Sequence, residues 1–132
     1  MKVLQAARVA CAALVIASAP ACAAALVGAG AAGAIGWNER GAESTVNGTV
    51  DQNWSRALAT FQQMGIMQSD TKTENNGAER KLEGTKGDMM VTVVMRSREA
   101  TTTYVEVTAK KNMVDYDRDY AKQVLTSIIN RT

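Results

Sequence analysis

Side chains able to do covalent or acid–base chemistry are few in this sequence and unevenly placed. It has no histidine, and its two cysteines, Cys11 and Cys22, both fall near the amino terminus. Without an imidazole, Ser–His–Asp and Cys–His catalysis lose their base, and most zinc and copper sites lose a common ligand. Past position 22 no thiol remains for nucleophilic attack, a disulfide or metal ligation. Carboxylates are left. Glu79, Glu83, Asp88 and Glu106 each lie on the polar side of a strand-like run or in a turn, beside lysines and arginines. A solvated face explains them better than an acid/base pair with displaced pKa values. Asp115, Asp117 and Asp119 imitate the opening of a calcium loop, which needs glycine at its sixth position and glutamate at its twelfth. This chain has Tyr120 and Thr126 there, so the three read as acids at a helix start. Tyr104, Tyr116 and Tyr120 form the candidate interaction face or the lining of a ligand pocket, although aromatics at amphipathic positions commonly serve a core or its rim. Met64, Met67, Met89, Met90, Met95 and Met113 lack the close repeats of a copper site and read as gap-fillers. No cofactor and no metal is expected.

Gly28-Ala29-Gly30-Ala31-Ala32-Gly33 matches the dinucleotide fingerprint letter for letter. That chemistry also needs a core strand before the glycines, a helix after them and a ribose-binding acid on a second strand. Here an apolar leader precedes and the polar Trp37-Asn38-Glu39-Arg40-Gly41 follows, so a small-residue spacer or a helix-packing face in lipid accounts for the glycines.

The leader has the order of an export signal. Lys2 and Arg8 supply positive charge, Val9 to Ala17 an apolar stretch, and Ser18-Ala19-Pro20-Ala21 small residues before Cys22. Ala19-Pro20-Ala21-Cys22 resembles a lipobox, whose cysteine thiol takes up diacylglycerol and becomes the new amino terminus. The same Ala-x-Ala suits ordinary signal peptidase, which releases a soluble chain. A third outcome is an uncleaved anchor, because Val9 to Gly36 carries no charge and ~20 apolar residues span a bilayer. The lipidated form leads, with residues 1–21 as signal peptide, 22–40 as lipidated Cys22 and apolar tether, and 41–132 as one domain. Alanine rather than aspartate at position 23 favours the outer membrane over the inner. Once Lys2 and Arg8 are set aside, thirteen basic residues face thirteen acidic ones, so the body exerts no long-range pull on phosphates and nucleic acid is not an expected partner.

The remaining elements must position whatever site exists. Ser44–Val50 is rich in β-branched residues and reads as a strand. Asp51 reads as the cap of a helix over 52–64, along which Trp54, Leu58 and Phe61 recur at helical spacing until Gly65. Strand patterns follow at 66–73, 78–84, 89–98 and 102–110, separated by Asn-Gly and Lys-Gly-Asp turns. Thr103, Val105, Val107 and Ala109 alternate with Tyr104, Glu106 and Thr108. A final helix begins near Asp115 and carries Tyr120, Ala121, Val124, Leu125, Ile128 and Ile129 on one stripe. The expected fold is α+β, in the order β-α-β-β-β-β-α: an antiparallel sheet of about four strands with both helices on one face.

Cys22 with the Ala/Gly run to Gly33, Asn53-Trp54-Ser55-Arg56-Ala57-Leu58 and the strand Thr103–Thr108 resembles a family of short bacterial envelope lipoproteins of unknown function. The pattern of cap, Trp54, Leu58 and Met64-Gly65-Ile66 is also similar to repeats in a lipoprotein component of the outer-membrane β-barrel assembly machinery. The first resemblance implies a lipid at Cys22 and carries over no catalytic residue; the second implies protein binding. The expectation is a non-enzymatic, periplasm-facing envelope module, lipid-anchored and bound to a protein partner. The alternative is a soluble periplasmic binder of a small apolar ligand between helices and sheet.

Overall fold

The structure is a computed structural model that describes residues 35–131. Its first helix, α1, spans Val50–Met64, and Thr49 rather than Asp51 caps it. Thr49 Oγ1 accepts from the Gln52 amide at 3.2 Å, while Gln52 Oε1 accepts from the Thr49 amide at 2.9 Å. This reciprocal box satisfies two amides that the helix leaves unpaired. Asp51 sits in the first turn, where its charge complements the helix dipole. Gly65 ends α1 at φ 68°, a left-handed conformation that costs glycine little.

The strands are β1 (Gly36–Trp37), β2 (Gly41–Asn47), β3 (Met67–Glu74), β4 (Glu79–Lys86), β5 (Met89–Glu99) and β6 (Thr102–Lys110), and helix α2 spans Arg118–Ile129. The α+β class and the expected element order hold, but among the described residues the sheet has six strands rather than about four, in the order β1-β2-β6-β5-β4-β3. Every pairing is antiparallel. Tight turns make β3 to β6 a meander, as their spacing predicts. The increase comes from the amino-terminal side. After β2, α1 carries the chain across the sheet to its far edge, which leaves β2 beside the last strand, β6. The junction is pinned where the Gly48 amide donates to Thr101 O at 2.8 Å and Thr103 Oγ1 donates to Gly48 O at 2.9 Å. Residues 36–40, assigned by composition to the tether, form β1 and the turn into β2.

Both helices lie on one face. Ala42 and Val46 of β2, Leu82 of β4, Val91, Val93 and Met95 of β5, and Val105, Val107 and Ala109 of β6 are fully buried beneath them. Phe61 of α1 and Val124, Leu125, Ile128 and Ile129 of α2 complete this layer. Leu58 and Met64 are only partly buried at its rim. Gly84 lets α1 come close: a Cβ there would fall 2.8 Å from Phe61 Cε2 and 2.8 Å from Met67 O. Where β4 leaves the helices, the Arg80 guanidinium lies 3.9 Å from the Trp54 ring centre and covers the indole.

Candidate functional site

No helix covers the other face of the sheet among the described residues, and the pairing register orders its side chains into rows. One row is Thr45, Tyr104, Arg96, Glu79 and Glu74; the next is Glu43, Glu106, Val94, Lys81 and Lys72. On the β3–β4 side these residues neutralise one another. Lys72 pairs with Glu74, Lys81 with Glu83, and Arg96 Nε meets Glu79 Oε1 at 3.2 Å. Such exposed pairs tidy a surface and contribute little to stability.

The β2–β6 side is organised around Tyr104. Glu43 and Glu106 are direct cross-strand partners, so their carboxylates project side by side. The Tyr104 hydroxyl lies 2.8 Å from Glu43 Oε2 and 3.1 Å from Glu106 Oε2, and it donates its single proton between them. Asn38 Nδ2 donates to the same Glu43 oxygen at 3.1 Å. The Tyr104 and Asn38 hydrogen bonds hold the Glu43 carboxyl below the ordinary carboxylate range. Burial, then the hydrogen bonds to Glu43 and Glu106, push the Tyr104 phenol far above its ordinary value. Above the ring, the Arg98 and Arg96 guanidinium carbons lie 5.3 Å and 5.9 Å from its centroid. Glu43, Arg96, Ser97, Arg98 and Tyr104 line an open depression of about 430 Å³.

The two shifts leave Glu43 ionised and Tyr104 protonated at neutral pH. Neither direction suits proton transfer, which needs a pKa near the working pH. What the arrangement offers is a fixed aromatic ring framed by carboxylates and guanidinium groups, with tyrosine and arginine the types enriched where proteins bind one another. Glu106 does meet a second carboxylate, but that partner, Glu43, lies across a strand pairing the sequence alone does not reveal. Glu79 and Glu83 are held in ion pairs, and Asp88 is exposed in the β4–β5 turn.

The three tyrosines do not share a face. Tyr104 belongs to the open side of the sheet. Tyr116 sits between β6 and α2, bridged to Lys110 and lining a depression of about 620 Å³ with Trp37, Lys111 and Asp117–Asp119. Tyr120 lies on α2 and packs against the core, its hydroxyl buried without a hydrogen-bond partner among the described residues. A side chain that projects from β6 onto the open face and one on α2, packed against the covered face, cannot be presented together. Asp117 caps α2 by accepting from the Tyr120 amide at 2.9 Å, and this bond and Lys111 hold its carboxyl low. Asp115 accepts from Asn112 Nδ2 at 2.7 Å, and Asp119 sits in the first turn of α2. Of the methionines read as gap-fillers, Met95 is fully buried, whereas Met67, Met90 and Met113 are exposed. Cys22 and Gly28–Gly33 lie outside the described residues. No described helix is long and apolar enough to cross a membrane.

No curated protein matches the chain. A family match runs from residue 3 to residue 128, and so takes in most of the amino-terminal segment, the sheet with its open face and nearly all of α2. The chain is a member of the family described as protein of unknown function DUF3568.

Proposed function

We propose that this protein is a lipid-anchored, non-catalytic module of the bacterial cell envelope that binds a protein partner through the open face of its sheet. The carrying observation is the Tyr104 cluster, in which an aromatic ring is held by Glu43 and Glu106 and flanked by Arg96 and Arg98. Tyrosine and arginine held in place before contact lose little entropy when a partner covers them. The anchor is supported by the order of charge, apolar run and small residues before Cys22. The likeness to envelope lipoproteins and to the repeats of the assembly-machinery lipoprotein supports the same reading. Between helices and sheet the space is filled by fully buried side chains, which gives the small-ligand alternative no support.

Two measurements test the proposal. Metabolic labelling with palmitate is expected to mark the native protein and to miss Cys22→Ala; an unlabelled native protein removes the lipid. Crosslinking in cells followed by affinity purification is expected to recover a partner with the native chain. Tyr104→Ala or Arg98→Glu is expected to weaken that recovery at least tenfold, as loss of a central interface residue does. Equal recovery from all three chains moves the binding site off this face.

A further inference from the structure

Every large apolar side chain exposed among the described residues sits at one end of the sheet. They are Trp37 (47 % exposed), Met67 (74 %), Met90 (45 %), Met113 (87 %) and Val114 (80 %). The register sets them at that end from one edge strand, β1, to the other, β3. Met67, Thr85, Met90 and Lys110 form the last row of β3, β4, β5 and β6. Met113 and Val114 stand on the loop that leaves Lys110, and Trp37 precedes the turn that enters β2 from the same end. The opposite end, with Gly48, Asn75–Gly77 and Thr101, exposes no large apolar side chain among the described residues.

The geometry points to this end as a surface that rests on the lipid bilayer. Three observations converge. Trp37 is flanked by cations, with Lys122 Nζ 5.0 Å and the Arg118 guanidinium carbon 5.9 Å from its ring centre. An amphipathic ring beside long cationic side chains suits the headgroup layer, where the ring sits at the boundary and the cations reach outward. Second, charges at this end nearly balance: Arg40, Lys86, Lys110, Lys111, Arg118 and Lys122 against Glu39, Asp88, Asp115, Asp117 and Asp119. Apolar insertion rather than attraction to anionic lipid therefore drives the contact. Third, the chain from Cys22 supplies its own proximity. Residues 23–36 number fourteen, so their reach is at most about 50 Å. Confinement within that radius raises the effective concentration of the bilayer, and a weak contact becomes sufficient.

This inference rests on the anchored reading above, and the experiment separates the two. The native protein, amino-terminal segment included, is reconstituted in phosphatidylcholine vesicles with brominated acyl chains, which quench an indole only on contact. Trp54 is 8 % exposed and serves as the internal reference, and Trp37→Phe isolates the Trp37 emission. The expected result is co-sedimentation with the vesicles and loss of the Trp37 emission, unchanged by added salt. The double variant M113D/V114D replaces exposed loop residues and should fold normally; it is expected to restore that emission while still sedimenting. Sedimentation without quenching overturns the docking and leaves the anchor. Quenching that M113D/V114D does not relieve also overturns the docking, since the tether alone then brings Trp37 to lipid. Failure to sediment overturns the anchor and the docking together.

Discussion

The Tyr104 hydroxyl has one proton and two carboxylates within reach, so it reports directly on how the open face is held. Tyr104→Phe is expected to cost about 0.5–1.5 kcal/mol in urea unfolding, the range for a hydrogen bond that water partly replaces. Acid response gives a sharper reading. Because the fold holds Glu43 below the ordinary carboxylate range, its ionised form stabilises the native state above that range. That contribution fades as pH falls through the lowered folded value. Tyr104→Phe removes the main cause, so its stability should fall less steeply with acid than the wild type's does. Tyr120 is expected to behave in the opposite sense. Its hydroxyl is buried and unpaired among the described residues, so Tyr120→Phe should leave the melting temperature unchanged or raise it, by up to about 1 kcal/mol of stability. A clear loss would mean that this hydroxyl has a partner. The sequence marks both tyrosines as aromatic and amphipathic; only the fold separates one framed by charge from one pressed into a core.

Helix α1 shows what local pattern conveys and where it misleads. Its apolar spacing and its glycine stop are plain, because a helix repeats its environment every three or four residues. Its start is also written in Thr49-Val50-Asp51-Gln52, a threonine with glutamine three residues on, yet the nearer carboxylate of Asp51 is the more conspicuous cap. Thr49→Ala should therefore cost about 0.5–2 kcal/mol by thermal or urea unfolding, and Asp51→Ala a few tenths only. Equal costs would count against Thr49 as the dominant cap, once the Asp51 ion pair with Arg80 at 3.1 Å is screened by salt. Gly84 is a second case. In the sequence it is one more small residue on an alternating strand, and its neighbours Phe61 and Met67 belong to other elements. Gly84→Ala should destabilise by about 1–3 kcal/mol, since backbone as well as a ring must move. Strand β1 has only two residues and so carries no period from which to be read.

Across the whole molecule, what the sequence conceals is pairing between distant strands. The meander of β3 to β6 follows from turn lengths, but the contact of β2 with β6 closes over the intervening helix and strands, and no local signal marks it. The Glu43–Tyr104–Glu106 cluster depends on that contact and is hidden with it. Cooperativity should follow the same map. Amide exchange is expected to be slowest in β5 and β6, which are bonded on both sides and buried beneath the helices, and fastest in β1 and β3 at the edges. Uniform protection across the six strands would count against this order. The register has one further consequence if the Met-bearing end does meet lipid. The strands then stand upright, and Tyr104, six residues along β6 from Lys110, is held at a height of roughly 20 Å. A protein lying flush with the bilayer would pass beneath that ring. Only one whose own bulk rises well clear of the headgroups is tall enough to touch it.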